Sequence, residues 1–190
     1  MTAAEHVRMT PAEYLALERA STERHEFHNG EIFAMSGATR EHNLCAGNIL
    51  AELRAALRNR RCEAYGSDMK VRVEDGGRYV YPDVSAVCGG PHFADAHDDV
   101  LTNPQLIVEV LSDSTERFDP GDKFALYRGV ASIAEVLLVL QSAPRVERYV
   151  RQSDGAWLLR EYGAGARVPI DVLGCALAVD EIYLKVFRGP

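Results

Sequence analysis

Two carboxylates stand where a carboxylate is expensive. Glu109 interrupts Leu106-Ile107-Val108-Glu109-Val110-Leu111, a run whose nearly unbroken apolar character predicts a central strand buried on both faces. A charge in such a strand must be neutralised, paired or bound to a metal ion, because an apolar interior does not solvate it. Asp83, just after Pro82 in a neighbouring strand-like segment, raises the same question. Two acids projecting from adjacent strands can share one hard divalent cation. Mg²⁺ takes oxygen ligands and keeps several waters, and Mn²⁺ is its substitute. Those waters supply a nucleophile, and the ion stabilises charge on a phosphate under attack. Lys123 shares a helical stripe with Leu126 and Tyr127, so it can point inward and assist the water or the developing charge. Asp83 and Glu109 are therefore the expected metal ligands, Lys123 the assisting cation, and Glu31 and His42 the residues that could complete the site.

Each residue also has a plainer reading. Glu109 and Lys123 could form only an ion pair. Glu31, just past a hairpin turn, would ordinarily face solvent, and His42 would ordinarily be a satisfied helix histidine. His25 and His28 have a metal-like spacing but too few companions to name a site.

The elements that must position these groups can be read from local signals. Thr10-Pro11-Ala12-Glu13 is a capping box with proline at the first helical position, predicting a short helix to about Arg19. Asn29-Gly30 between residues 25–28 and 31–35 predicts a hairpin. Thr39 caps a helix over residues 40–57, with Ala46, Ile49, Leu50, Leu53 and Leu57 on one stripe and His42 starting on its inward face. Residues 63–73 and 79–87 predict a pair of strands turned at Gly76-Gly77, with Pro82 a bulge or break in the second. Residues 89–102 read as a polar loop. A helix starts at Pro120, capped by Asp119, and ends at Gly129. Residues 135–140 predict a second buried strand, residues 145–150 and 157–162 a hairpin, and residues 180–186 a last helix. This order implies an α/β or α+β fold, a mixed sheet with helices against it. It fits one domain over residues 1–190, with an N-terminal helix and hairpin (1–38), a core (39–141) and a C-terminal hairpin and tail (142–190).

Composition narrows the class. With 47% hydrophobic and 26% charged residues, the chain can bury a core and is not a disordered polymer. Its longest aliphatic run, residues 136–140, is too short to cross a bilayer, and no signal peptide is visible, so a cytoplasmic location with no membrane partner is expected. The four cysteines, at positions 45, 62, 88 and 175, form no Cys-x-x-Cys pair; free thiols are expected, without a zinc site or a disulfide framework. The net charge of −7 lacks the basic footprint of a phosphate binder. A local basic patch, a bound metal or a homodimer would have to compensate. Residues 54–61, with four arginines, are the only dense basic cluster and read more simply as a solvated helix end.

Most of the chain resembles the Uma-two family of restriction-endonuclease-like proteins. The matching segments are Glu13-Tyr14-Leu15, Asn29-Gly30-Glu31-Ile32, Met35-Ser36-Gly37, His42-Asn43, Tyr81-Pro82-Asp83-Val84, Leu106 through Ser112 after Pro104, Ser114-Thr115, Asp119 with Lys123, and Tyr127. The resemblance implies the PD-(D/E)XK nuclease fold, in which a Pro-Asp strand precedes a strand carrying Glu-x-Lys. Here Leu111 occupies the usual lysine position, which leaves Lys123 as the substitute. Where family members often carry Val-Asp after the fourth strand, this chain reads Val139-Leu140-Gln141. The implied function is Mg²⁺-dependent endonucleolytic cleavage of DNA. The alternatives are a catalytically silent module binding nucleic acid or protein, and a metal-dependent hydrolase of RNA or a small nucleotide.

Overall fold

The computed structural model describes residues 8–74, 77–111 and 120–187, with the side chains of residues 74 and 120–123 outside the description. Helix α1 (Pro11–Ala20) starts as its capping box dictates: the Glu13 N–H donates to Thr10 Oγ1 at 3.3 Å, and the Thr10 N–H donates to Glu13 Oε2 at 2.8 Å. Its Tyr14 is buried and stacks on Phe27 of the following hairpin. Strands β1 (His25–His28) and β2 (Glu31–Ala34) pair through Asn29 and Gly30, both at positive φ (48° and 94°). That backbone is what a two-residue hairpin turn of matching twist requires. A Cβ at Gly30 would also sit 2.6 Å from the Arg8 Cβ. Gly30→Ala is therefore expected to lower stability by about 1–3 kcal/mol, read as a fall in thermal midpoint with the far-UV spectrum unchanged.

Residues 63–73 and 79–87 do not form the single strand pair expected of them. Each breaks in two and changes sheet. The first becomes β3 (Cys62–Gly66) and β4 (Lys70–Glu74), and the second β5 (Arg78–Val80) and β6 (Val84–Cys88). Pro82 explains the second break, because it has no N–H for a ladder and its ring fixes φ. One sheet has the order β2-β1-β5-β4-β7, with β7 (Val100–Leu101) formed inside the segment expected to be a polar loop. That segment is tied down by charge. Arg19 reaches Asp95 at 2.8 Å and Asp99 at 2.7 Å, and Lys70 reaches Asp99 at 3.2 Å. The Arg19 hydrogen bond, with Lys70 adding to it, holds the Asp99 carboxyl down at about 2. A depressed carboxyl contributes stability above its unfolded value near 4 and loses it as pH falls through about 2. Between pH 4 and 2 the Ala94 and Thr102 amides, which bond to Val100 and His92 across this segment, are expected to lose hydrogen-exchange protection before the core does.

The second sheet runs β11-β10-β9-β8-β6-β3, with β8 (Leu106–Leu111), β9 (Glu135–Leu140), β10 (Arg145–Arg151) and β11 (Trp157–Gly163). Only β8 and β9 are parallel, joined across the segment that contains helix α3 (Pro120–Arg128); the sheet is mixed, as expected. Helix α2 (Arg40–Leu57) covers one face. Its Cys45, Ile49, Leu53 and Leu57 pack into a core with Val84, Ala86, Leu106, Val108 and Val110. The opposite face buries Ile107, Leu111, Val136 and Leu138 with Tyr127 and Ile133. Strand alternation thus sends Glu109 to the face of Ile107 and Leu111, towards α3. The C-terminal tail adds a two-stranded sheet, β12 (Arg167–Ile170) and β13 (Cys175–Ala178), and a four-residue helix α4 (Val179–Ile182), shorter than the helix expected there.

The cysteine expectation needs correction. Cys62 and Cys88 form a disulfide, because the antiparallel register of β3 and β6 sets them directly opposite each other. That pairing depends on strand register, which a 26-residue separation does not disclose. Cys45 and Cys175 remain free, and burial raises both thiols, Cys45 to about 11.

Candidate active site

The site forms where a ladder ends. Strands β6 and β8 pair as Ala86↔Leu106, Ser85↔Ile107 and Val84↔Val108. Continued by one residue, that register sets Asp83 across from Glu109. The backbone pairing cannot continue there, since Pro82 turns the chain out of the sheet. Asp83 Oδ2 instead accepts the Val110 N–H at 2.7 Å, a side chain replacing the missing backbone acceptor. The strands part beyond this point, and a cavity of about 520 Å³ opens, lined by Asp83, Glu109 and His42 among others.

Side chains from α3 and α2 touch the two acids. Tyr127 of α3 is fully buried and donates its hydroxyl to Glu109 Oε1. Burial, then the Glu109 charge, keeps that phenol protonated well above the ordinary range, so it stays a donor. His42, in the first turn of α2, lies 3.3 Å from Asp83 Oδ2 through Nε2. The Asp83 hydrogen bond raises the imidazole above its usual value, against the opposing effect of burial. Asp83 Oδ1 has no hydrogen-bond partner among the described residues. Glu26 of β1 reaches the same cavity and accepts the Tyr81 N–H at 3.3 Å, just before the Pro82 break.

Among the described residues, no group of three or more histidine, cysteine or acidic side chains is arranged as a metal cage. Two carboxylates opening into a cavity with room for water fit Mg²⁺ better than a metal needing a complete protein shell, since Mg²⁺ binds through one or two carboxylates and retains waters. Of the residues named from sequence, Asp83, Glu109 and His42 meet at this cavity. Glu31 is exposed beside the hairpin turn, opposite His28, and does not line it. The backbone of Lys123 belongs to α3, but its side chain lies outside the described residues. Sequence reasoning passed over Glu26, although it precedes the buried Phe27 in a four-residue strand and so must face the opposite way. The arginines expected to form a solvated helix end are partly structural. Arg54 donates to the Ala64 carbonyl and Arg60 to the Leu173 carbonyl, while Arg58 and Arg61 are exposed.

The model of the Uma2 family, described as "Putative restriction endonuclease", matches residues 11–180. The chain belongs to this family. Two proteins of Synechocystis sp., both described as uncharacterized, are similar along most of their length: one is 40% identical over 153 residues (80% of this chain, 86% of that protein), the other 34% identical over 180 residues (93% and 92%). A crystal structure from Anabaena variabilis, titled as a putative nuclease belonging to DUF820, superposes with a TM-score of 0.75 over 94% of this chain and 99% of that one, at 15% identity. The Uma2 chain described here therefore has the restriction-endonuclease-like fold that its sequence predicted. In that fold the β6–β8 ladder end is the point where both acids emerge. Among the described residues no helix is long and apolar enough to cross a membrane.

Proposed function

We propose that the protein is a divalent-metal-dependent endonuclease that hydrolyses DNA phosphodiester bonds. The observation that carries this reading is the end of the β6–β8 ladder, where the register brings Asp83 and Glu109 to one cavity. Membership in the family described as "Putative restriction endonuclease" supports it. Asp83 and Glu109 would hold Mg²⁺ or Mn²⁺, and the bound ion would supply an activated water and neutralise charge on the phosphate. Tyr127 fixes the rotamer of Glu109. His42 fixes Asp83 and, with its proton on Nε2 favoured by Asp83, is placed to give a proton to a departing oxygen. Lys123 is assigned to the attacking water or the phosphate charge, as the sequence suggests. A homodimer would place two such sites on a duplex, and a cytoplasmic location would give access to DNA; both belong to this proposal.

The test is cleavage of supercoiled plasmid and of labelled single strands in Mg²⁺, in Mn²⁺ and in EDTA. Cutting that needs metal and disappears in Asp83→Ala is the expected result. Activity that survives EDTA, or equal activity in the variant, would discard this site. No cutting of any nucleic acid by the wild type would favour a silent binding module of the same fold.

A further inference from the structure

We infer that the cavity takes an unpaired nucleotide, with the ring of Phe33 stacking on its base while its phosphate lies at Asp83 and Glu109. The phosphate position rests on the nuclease reading above; the stacking position rests on the hairpin. The register of β1 and β2 sets Phe33 directly opposite Glu26, and opposed residues in an antiparallel pair project from the same face. Glu26 faces the cavity that holds both acids, so Phe33 does too, and both line it. Phe33 is 51% exposed, so its ring is open to a ligand in the cavity. Phe27, Phe124 and Phe187 each pack against another aromatic ring, whereas Phe33 has no ring partner among the described residues.

Charge points the same way. Arg24 is the only arginine or lysine among the described residues that line the cavity, and it is already paired with Asp68 at 2.6 Å. A duplex is gripped through many phosphate contacts, and in a chain of net charge −7 the described lining offers one arginine. An exposed ring beside the acid pair offers a stacking surface, and every base has a face to stack. The cavity volume, about 520 Å³, also falls in the range of pockets that enclose one small molecule. The base could come from a single strand or be turned out of a duplex; both present the same unpaired face.

The full chain would be titrated in Ca²⁺, a hard cation that oxygen ligands also bind, with oligonucleotides carrying 2-aminopurine, whose fluorescence falls when it stacks. Three forms would be compared: a single strand, a duplex with the probe mismatched, and a fully paired duplex. Fluorescence reads stacking apart from cleavage, so stacking can fail while Mg²⁺-dependent cutting persists, or the reverse. The expected result is quenched binding of the single strand or of the mismatched duplex, with the fully paired duplex weaker. Quenching with the single strand alone identifies a single-strand site, and quenching with the mismatch as well identifies a turned-out base. Phe33→Ala should weaken that binding roughly 5- to 150-fold, the span of base–ring stacking, and Phe33→Tyr should retain it. Thermal unfolding of both variants should match the wild type, since the side chain is half exposed. Wild-type affinity in Phe33→Ala, equal unquenched binding of all three forms, or no binding of any form would overturn the inference. So would a change in sedimentation of Phe33→Ala with binding unaltered, because the ring would then serve an interface between copies of the chain.

Discussion

Glu109→Gln is expected to remove metal-dependent cleavage, by roughly 10²–10³-fold or more, while the protein stays folded. The scale is that of losing one preorganised electrostatic contact to a transition state. Glutamine keeps the shape of the side chain and a carbonyl oxygen for the Tyr127 hydroxyl, so the buried donor is not orphaned. Only the charge is lost, and with it the reason for a divalent cation to enter. Glu109→Ala should abolish cleavage equally but also leave the fully buried Tyr127 hydroxyl without its acceptor, at a cost of about 1–3 kcal/mol. Tyr127→Phe gives the complementary case. It retains the charge but removes the hydroxyl that orients Glu109 Oε1, and should weaken metal affinity roughly 10- to 100-fold. Calorimetric titration with Mn²⁺ beside the cleavage assay separates these effects. If Glu109→Gln bound the ion as the wild type does, Glu109 would be the structural partner of Tyr127 and no ligand.

The second large effect lies away from the cavity. Arg148 of β10 and Glu135 of β9 are almost fully buried, with side chains 3% and 1% exposed, and pair at 2.9 Å. Glu135 Oε1 also accepts the Val172 N–H at 2.7 Å, and Arg148 reaches Asp171 at 2.7 Å. This pair therefore stitches the C-terminal tail to the central sheet. Glu135→Ala would take from the buried Arg148 guanidinium its buried carboxylate, leaving the exposed Asp171, and would leave the Val172 N–H without its acceptor; it is expected to cost about 3–5 kcal/mol in chemical denaturation. Asp171 is 71% exposed, so Asp171→Ala should cost at most about 1 kcal/mol. A Glu135→Leu/Arg148→Met double variant should recover most of the loss, since apolar replacements of similar volume avoid the desolvation that the pair requires. A single-variant loss under 1 kcal/mol would mean that water reaches the pair.

Local chemistry and periodicity made much of this protein legible. Thr10, Pro11 and Glu13 state a helix start within four residues. Asn29-Gly30 states a turn, because only residues that tolerate positive φ close so short a hairpin. The unbroken apolar run around Glu109 announced a strand buried on both faces, and the anomaly of a carboxylate inside it pointed to Asp83 and Glu109 before any contact was known. These are statements about adjacent residues, and physics decides them within a few positions.

What the sequence left open are matters of register and of which sheet a strand joins. Residues 63–73 and 79–87 look continuous along the chain, yet each crosses from one sheet to the other, since their apolar alternation says which face is buried and not who the neighbour is. Cys62 and Cys88 meet only because β3 and β6 align in one register. Glu26 enters the cavity, and Glu31 stays outside it, by two steps along a hairpin that is itself placed by the Tyr14–Phe27 stack. Glu135 and Arg148 likewise find each other across two strands. The sequence by itself determined the helix starts, the hairpin turn and the cost of an acid in an apolar strand, and hence the case for a cation. The tertiary structure alone decided which side chains share the space around Asp83 and Glu109, because contacts between distant residues depend on how whole elements pack.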